Sequence, residues 1–470
     1  VAIALFAMVM DFSIVFLALS SIADEFNVTL RAVTWVAIST SLTISAIMLP
    51  LGRVSDITGR KKFHIFGMVF FVAGALLAFS SQTLEMLIVS RVVMSIGSAM
   101  GQAVVFAIII GVFPSNERGK ALGMITTAVA IGAAAGPITA GPVIQEFGWR
   151  AVFLFTAAPT TVGIVAAIFV LDDKRIGSTA RKIGSKYDWL GAGLSAAALS
   201  LTILTISNPF AFDWISIQII GGAILTAALF TMLIWWELRI PDPMLNLRFF
   251  QNSTFSWSTS TRFLAFLGGS STFFLMPVFV QSFMGYDQRS AGMIMFVGAV
   301  GMGLASQLSG RLSDRYGFRR FTFIGIGTLI VTNVWFSFFV SDTPLWIVMP
   351  VLFANGLGMG MWMAPNMSAT LSTVGRGDLG SMSAFLNLVR NVGTVIGQAL
   401  ATAIIAGIML SRGVEVQLNE LADSTDPNVT GAFLDGWSLT FLVFAAVTAV
   451  ALFAAIRTKV YTGDSEPKNS

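Results

Sequence analysis

Fourteen apolar runs, each long enough to cross a bilayer, take up most of this chain. They lie near 1–22, 33–51, 63–80, 86–112, 119–143, 150–171, 189–207, 216–236, 255–283, 290–309, 321–340, 345–371, 379–409 and 437–456. A spanning helix needs about 20 mostly apolar residues. Lipid offers no partner to an open backbone, so each run is expected to be a helix. Of the 470 residues, 55% are hydrophobic and 11% are charged. A soluble domain carries about 25% charged residues. The expected fold class is therefore an all-α polytopic membrane protein with the bilayer as its solvent. The chain begins at Val1, already inside the first run, and a short cytoplasmic leader before it is expected. That run has no basic flank and carries Asp11 at its middle, so it does not read as a cleaved signal peptide.

Charge sets the expected orientation. Alternate gaps, namely 52–62, 114–120, 172–188, 237–253, 310–320, 372–378 and the tail from 457, hold 21 Lys and Arg. The opposite gaps hold 4: Arg31, Arg150, Arg289 and Arg412. Basic loops stay cytoplasmic, so both termini are expected in the cytoplasm and the span count is expected to be even. The same distribution explains the net charge of +4 without a nucleic-acid partner. With no cysteine and one histidine, His64, the chain has no means for disulfides, thiolate metal sites or His-clustered metal chemistry. No resident cofactor is expected. There is neither a nucleophile–His–acid set nor a phosphate-cradling Gly-x4-Gly-Lys-Ser/Thr loop, so an enzyme is not expected.

One charged gap occurs twice. Gly52-Arg53-Val54-Ser55-Asp56-Ile57-Thr58-Gly59-Arg60-Lys61-Lys62 returns as Gly310-Arg311-Leu312-Ser313-Asp314-Arg315-Tyr316-Gly317-Phe318-Arg319-Arg320, 258 residues later. Arg118-Gly119 maps onto Arg376-Gly377 at the same offset. One residue of slip carries Gly97 to Gly356 and Gly101 to Gly360. Such repeats mark duplicated transporters. The expected division is a six-helix bundle over 1–171, a linker with two inserted spans over 172–253, a second six-helix bundle over 254–456 and a cytoplasmic tail over 457–470. In the gap, Gly52 and Gly310 would allow close helix approach, and Gly59 and Gly317 a tight turn. Asp56 and Asp314 would bond a helix N-terminus or a cation. Arg60 is expected to anchor its loop in the cytoplasm. The segment 241–250 is amphipathic, either lying at the membrane interface with Met244, Leu245, Leu247, Phe249 and Phe250 toward lipid, or serving as a plain linker.

The duplicated gap resembles the signature loop of the major facilitator superfamily. Gly123, Gly132, Gly136, Pro137 and Gly141 in the fifth span resemble that superfamily's antiporter motif, with Ala140 where a glycine is usual. A small-residue packing face would explain Gly132 and Gly136 equally. Met10 to Leu19 resembles the first-helix motif of the fourteen-helix drug:proton antiporters, with Ser20 in place of a proline. Leu87 and Arg91 through Gly97, and Trp149-Arg150 with Pro159, also resemble that group. The resemblance implies two bundles rocking about a midplane cavity lined by the first and fourth helix of each half, with a proton gradient as the energy source.

Four charges fall deep inside the expected spans, away from their ends: Asp11, Arg91, Arg262 and Arg390. A carboxylate at this depth costs about 2.5–3.5 kcal/mol on insertion scales, so it faces a cavity or a partner. The resemblance brings spans 1 and 4 together, which pairs Asp11 with Arg91. That pair is either the proton-coupling site or purely structural. Arg262, about two turns from the cytoplasmic end, can snorkel, and Arg390, about three turns in, snorkels less easily; otherwise either binds an anionic group or offsets Asp11. Candidate cavity residues are Arg262, Phe263, Phe266, Phe273, Asn355, Trp362, Met363, Asn366 and Arg390. The loop 411–436, with Glu415, Glu420, Asp423, Asp426 and Asp435, is solvated or attracts cations, and Asn428-Val429-Thr430 matches a glycosylation acceptor.

The expected function is proton-coupled efflux of hydrophobic or amphiphilic compounds from a plasma membrane. A lipid or anionic-amphiphile transporter is the second reading, and a non-transporting membrane receptor or scaffold the third. Expected partners are the bilayer and a small hydrophobic substrate. The resemblance admits an accessory periplasmic protein, which no residue here indicates.

Overall fold

The computed structural model describes every residue except 29, 115–116, 173–175, 177–186, 209, 211, 213–215, 242, 376–377, 415–426 and 459–470. The side chains of some further helical residues, Asp56, Pro137 and Phe273 among them, also lie outside the described set. So do Lys174, Arg175, Arg181, Lys182 and Lys186 of the linker and most of the acidic loop's carboxylates.

The first half comprises α1 (Ala2–Phe26), α2 (Leu30–Thr58), α3 (Arg60–Phe79), α4 (Leu84–Val112), α5 (Arg118–Phe147) and α6 (Ala151–Val170). Next come α7 (Trp189–Ser207) and α8 (Ile217–Glu237). The second half comprises α9 (Ser253–Val278), α10 (Gln288–Tyr316), α11 (Phe318–Phe336), α12 (Leu345–Leu371), α13 (Leu379–Ser411) and α14 (Pro427–Arg457). Helices start where the polar gaps offer a cap. Thr83 accepts from the Met86 amide, Asp188 from Gly191, Asn252 from Thr254 and Asp287 from Ser290.

Ten of these helices are long and apolar enough to cross a membrane, or twelve when the bent α1 and α5 each count as one span. The remaining two are α9 and α11. The first three turns of α9 carry Ser253, Thr254, Ser256, Ser258, Thr259, Ser260, Thr261 and Arg262, and α11 opens on Phe318-Arg319-Arg320. Much of that polarity is spent inside the protein: Thr254, Ser258, Thr259, Thr261 and Arg262 are all buried. The chain is an integral membrane protein.

Helix packing repeats with the sequence. In the first half α1 packs on α5 and α6, α4 on α2 and α3, and α3 on α6. In the second half α9 packs on α13 and α14, α12 on α10 and α11, and α11 on α14. The halves meet through matching pairs, α5 on α10 and α13 on α2. Lipid supplies no hydrophobic drive for helix association, so close packing and polar bonds carry it. Asn333 shows the polar part: its amide donates to the Gly268 carbonyl and to the Thr448 hydroxyl, tying α11 to α9 and α14.

The inserted pair packs on itself and against α2, with α7 also touching α13. It therefore leans on both halves. Along α8 the apolar face is open, with Ile217 83% and Ile224 66% exposed, as expected of a lipid-facing helix. The segment that follows does not present its apolar side to lipid. Met244 is buried among residues of α2, α4, α7 and α13, and Leu245 and Phe249 pack into the core shared by both halves. Phe250 is partly exposed, but its ring meets Phe255 and Phe385. These side chains satisfy the gap between the halves better than they would the interface.

Candidate functional site

A cavity of about 730 Å³ lies between the two halves. Its closure is asymmetric. At the end carrying the basic gaps, one apolar cluster draws Leu5, Phe106, Ile110, Leu122 and Ile125 from the first half and Phe255, Met367, Leu379 and Leu386 from the second. Polar contacts reinforce it. Thr127 donates to the Gly303 carbonyl at 3.1 Å, and Asn387 to the Gln102 carbonyl at 2.9 Å. Arg53 and Asp378 form an ion pair at 3.8 Å. Toward the other end the cores separate: one cluster is built from the first half alone and another from the second half alone. The cavity reaches that end past Leu17, Leu19, Gln281, Ala291 and Gly292.

Asp11 lines the cavity and Arg91 stands behind it. The Arg91 Nη1 donates to both carboxylate oxygens, at 2.9 and 2.8 Å, and both residues are buried. The guanidinium also sits 5.8 Å from the Phe153 ring centroid, which holds it in place. The helix carrying Asp11 bends by 45° between Val15 and Leu17, one turn beyond the carboxylate.

The duplicated gaps take up the turn expected of them. Gly59 has φ 96° and Gly317 φ 84°, in the left-handed region that side chains avoid. Asp314 accepts a hydrogen bond from the Lys120 amide at 3.1 Å, in the first turn of α5. A carboxylate there meets both a free backbone donor and the positive end of the helix dipole. Gly310 and Ser306 of α10 touch Gly123 of α5, where an added Cβ would come within 2.5 Å of the Ser306 carbonyl. Gly52 is buried. Arg60 is buried, and its Nη1 donates to the Ile176 carbonyl at 3.5 Å, an acceptor that water would otherwise provide.

The small residues of α5 form contacts with defined neighbours. A Cβ on Gly132 would lie 2.6 Å from the Phe6 carbonyl, and one on Gly136 would collide with the Ser13 side chain. Both neighbours belong to α1. Gly141 faces open space. A 40° bend falls between Gly136 and Ile138, at Pro137.

The cavity wall differs from the four-helix expectation. Phe266, Met363 and Arg390 line it. Asn355 does not; its amide donates to Thr332 at 3.0 Å and joins α12 to α11. Asn366 is likewise spent on the Ser258 carbonyl at 3.1 Å. Trp362 is fully buried behind Phe266, with their ring centroids 5.2 Å apart. Phe263 packs into the second-half core, and Arg262 is fully buried beside Phe266. Each sits on a helix face turned away from the cavity. The wall gains instead Ser41 and Ser45 of α2, Ala133 and Ala134 of α5, Met295 and Met302 of α10, and Asn391, Thr394 and Gln398 of α13. After Val278 the ninth helix continues as a π turn over Phe279–Phe283, and Gln281 of that turn faces the cavity. Pro277 is the sequence sign of that break.

Comparison with known proteins agrees with this geometry. The family model of the Major Facilitator Superfamily matches residues 1–398 and 259–470. The chain is 26% identical over 414 residues to the riboflavin transporter RibZ of Clostridioides difficile, covering 86% of this chain and 87% of that protein. It is 28% identical over 401 residues to multidrug resistance protein 3 of Bacillus subtilis, covering 83% and 75%. It is 25% identical over 433 residues to the lincomycin resistance protein LmrB of Listeria monocytogenes, covering 92% and 90%. The crystal structure of the human organic anion transporter MFSD10 shares the fold, with a TM-score of 0.65 at 13% identity over 97% of each chain. The duplicated gaps, the mirrored helix packing and the family match agree: the chain belongs to the Major Facilitator Superfamily and is a membrane transporter, not an enzyme.

Proposed function

We propose that this transporter exports hydrophobic or amphiphilic compounds in exchange for protons, by alternating access across a plasma membrane. The observation that carries the reading is Asp11. It is a buried carboxylate that faces the cavity on one side and an arginine on the other. A proton and a substrate entering the cavity can therefore act on the same charge. An intramembrane ionisable residue set this way is by default a candidate functional site. Drug and antibiotic resistance proteins among the relatives support export.

The topology that goes with it has fourteen spans and both termini in the cytoplasm, following the charge bias of the gaps. In that orientation the closed end is cytoplasmic and the cavity faces outward. Opening the cytoplasmic end then requires the Asp314–Lys120 cap, the Thr127–Gly303 bond and the Arg53–Asp378 pair to break, while the separate outer cores close on each other. Protonation of Asp11 would weaken its bond to Arg91 and shift the balance between the two states.

The test is transport in vesicles. Reconstituted protein should move a lipophilic dye uphill when a pH gradient is imposed and stop when the gradient is collapsed. Uphill movement indifferent to the gradient would remove proton coupling.

A further inference from the structure

The charges around the cavity do not balance. Asp11, Arg91, Arg262 and Arg390 are the charged residues deep inside the expected spans, which leaves the interior with two positive charges in excess. Asp11 is spent on Arg91. Arg390 lines the cavity from α13 and meets neutral oxygens: its Nη2 donates to Gln102 Oε1 at 2.6 Å and its Nε and Nη2 approach Asn391 Oδ1 at 3.4 Å.

Arg262 stands one turn away. Its Nε donates to the carbonyl of Leu386, four residues before Arg390 on the same helix. Its Nη1 and Nη2 are buried and have no partner. The guanidinium carbon lies 5.1 Å from the centroid of the Phe266 ring, and that ring lines the cavity. Neither arginine has a carboxylate partner among the described residues. Buried charge without a counter-charge is costly, and so are buried donors without acceptors. A fold that keeps two such guanidiniums beside one cavity is preorganised for an anion. Arginine's planar fork suits carboxylate, sulfonate and phosphate, which accept two parallel bonds. The opposite wall is apolar and adaptable, built from Met8, Met295, Met302, Met359 and Met363.

We propose that the cavity selects amphiphiles with an anionic head group, seated on Arg390 with Arg262 behind it and the tail against the methionine wall. This rests on the reading that the cavity carries the substrate, and it names the substrate class. Gln102 belongs to the first half and Arg390 to the second, so an anion that takes the guanidinium from Gln102 also loosens a bond between the halves.

The test is equilibrium binding by the full-length chain in neutral detergent, with no gradient present. The probes are 11-(dansylamino)undecanoic acid and a dansyl amine of equal chain length ending in trimethylammonium. The acid should bind at least about tenfold more tightly, a difference of about 1.4 kcal/mol. Arg390→Gln should lose that preference, and Arg390→Lys should keep part of it. Equal binding of the two probes, or preference for the cation, would overturn the proposal. Competition on the wild-type protein covers the case in which Arg390→Gln does not fold. Naphthalene sulfonate or phosphatidylglycerol should displace the acid, while tetraphenylphosphonium should not. Displacement by the sulfonate points to soluble anions and displacement by the lipid to a bilayer source; displacement by tetraphenylphosphonium alone contradicts the proposal. Because no proton gradient enters the assay, loss of coupling and loss of anion preference are read separately.

Discussion

Arg91 bonds both oxygens of Asp11 from the side away from the cavity, so the carboxylate is held by a cation at its back and open to the cavity at its front. Removing one member of a buried pair leaves the other uncompensated and typically costs about 3–5 kcal/mol, while removing both costs less. Arg91→Gln should therefore unfold at a clearly lower temperature than wild type, and Asp11→Asn with Arg91→Gln should recover much of the loss. Thermal unfolding of the four proteins in detergent measures this. Additive losses would show that the pair is not energetically coupled.

Asp314 closes the basic end by capping α5. Asp314→Asn keeps an acceptor but removes the charge that faces the helix N-terminus, so it should weaken that contact by about 1 kcal/mol and increase opening there. The chain has no cysteine, so a single introduced thiol reports without background. Ala121→Cys lies in the sealed cluster, and its labelling by a maleimide should rise about fivefold with Asp314→Asn, the ratio that about 1 kcal/mol produces. The repeat predicts the same for Asp56→Asn. Unchanged labelling would separate these residues from the gate.

The packing of α5 on α1 distinguishes its glycines. Gly136→Leu should stop transport, because the new side chain meets Ser13 directly. Gly141→Ala should be tolerated, because nothing stands near it. Initial transport rates with thermal stability as a control decide the matter. Equal effects at both positions would make the motif a general small-residue requirement.

At the outer end Glu25 accepts from Arg150 Nη1 at 2.5 Å and from Trp149 Nε1 at 2.6 Å, joining α1 to α6. Arg150, and then Trp149, hold its carboxyl below the ordinary value. A depressed carboxyl pKa stabilises the fold above the unfolded pKa, about 4.3 for Glu, and that stability is lost as pH falls through the folded value. The wild-type melting temperature should thus fall on acidification below about pH 4.3, and Glu25→Gln should lose part of that drop. The effect is small because the group is half exposed. An identical acid profile in Glu25→Gln would exclude this clamp.

The helices were legible because lipid demands long apolar runs. The run 189–207 is α7 and 345–371 is α12, residue for residue. Asp11 was legible as an inward-facing carboxylate because it stands alone among apolar neighbours. The rest of the cavity was not. A helix that is apolar all round gives no moment to say which face meets a neighbour, so Trp362 and Asn355 read as well as Phe266 and Met363. Arg390 and Arg262 both read as cavity candidates, yet one lines the cavity and the other lies behind Phe266. Gln102, Asn391 and Gln398 gave no signal beyond being polar within a span. The burial of Arg60 was not legible because a basic residue beside a short gap reads as solvated, and the carbonyl it reaches lies 116 residues away in sequence.

The central claim is that Asp11 couples export to protons. It is tested by sealed vesicles holding wild-type or Asp11→Asn protein, loaded with a fluorescent amphiphile under a pH gradient. Wild type should concentrate the probe against its gradient. Asp11→Asn, shown to be folded by its melting temperature, should only let the probe equilibrate, at any pH. If Asp11→Asn still concentrates the probe with the wild-type pH dependence, the coupling group lies elsewhere and the account fails.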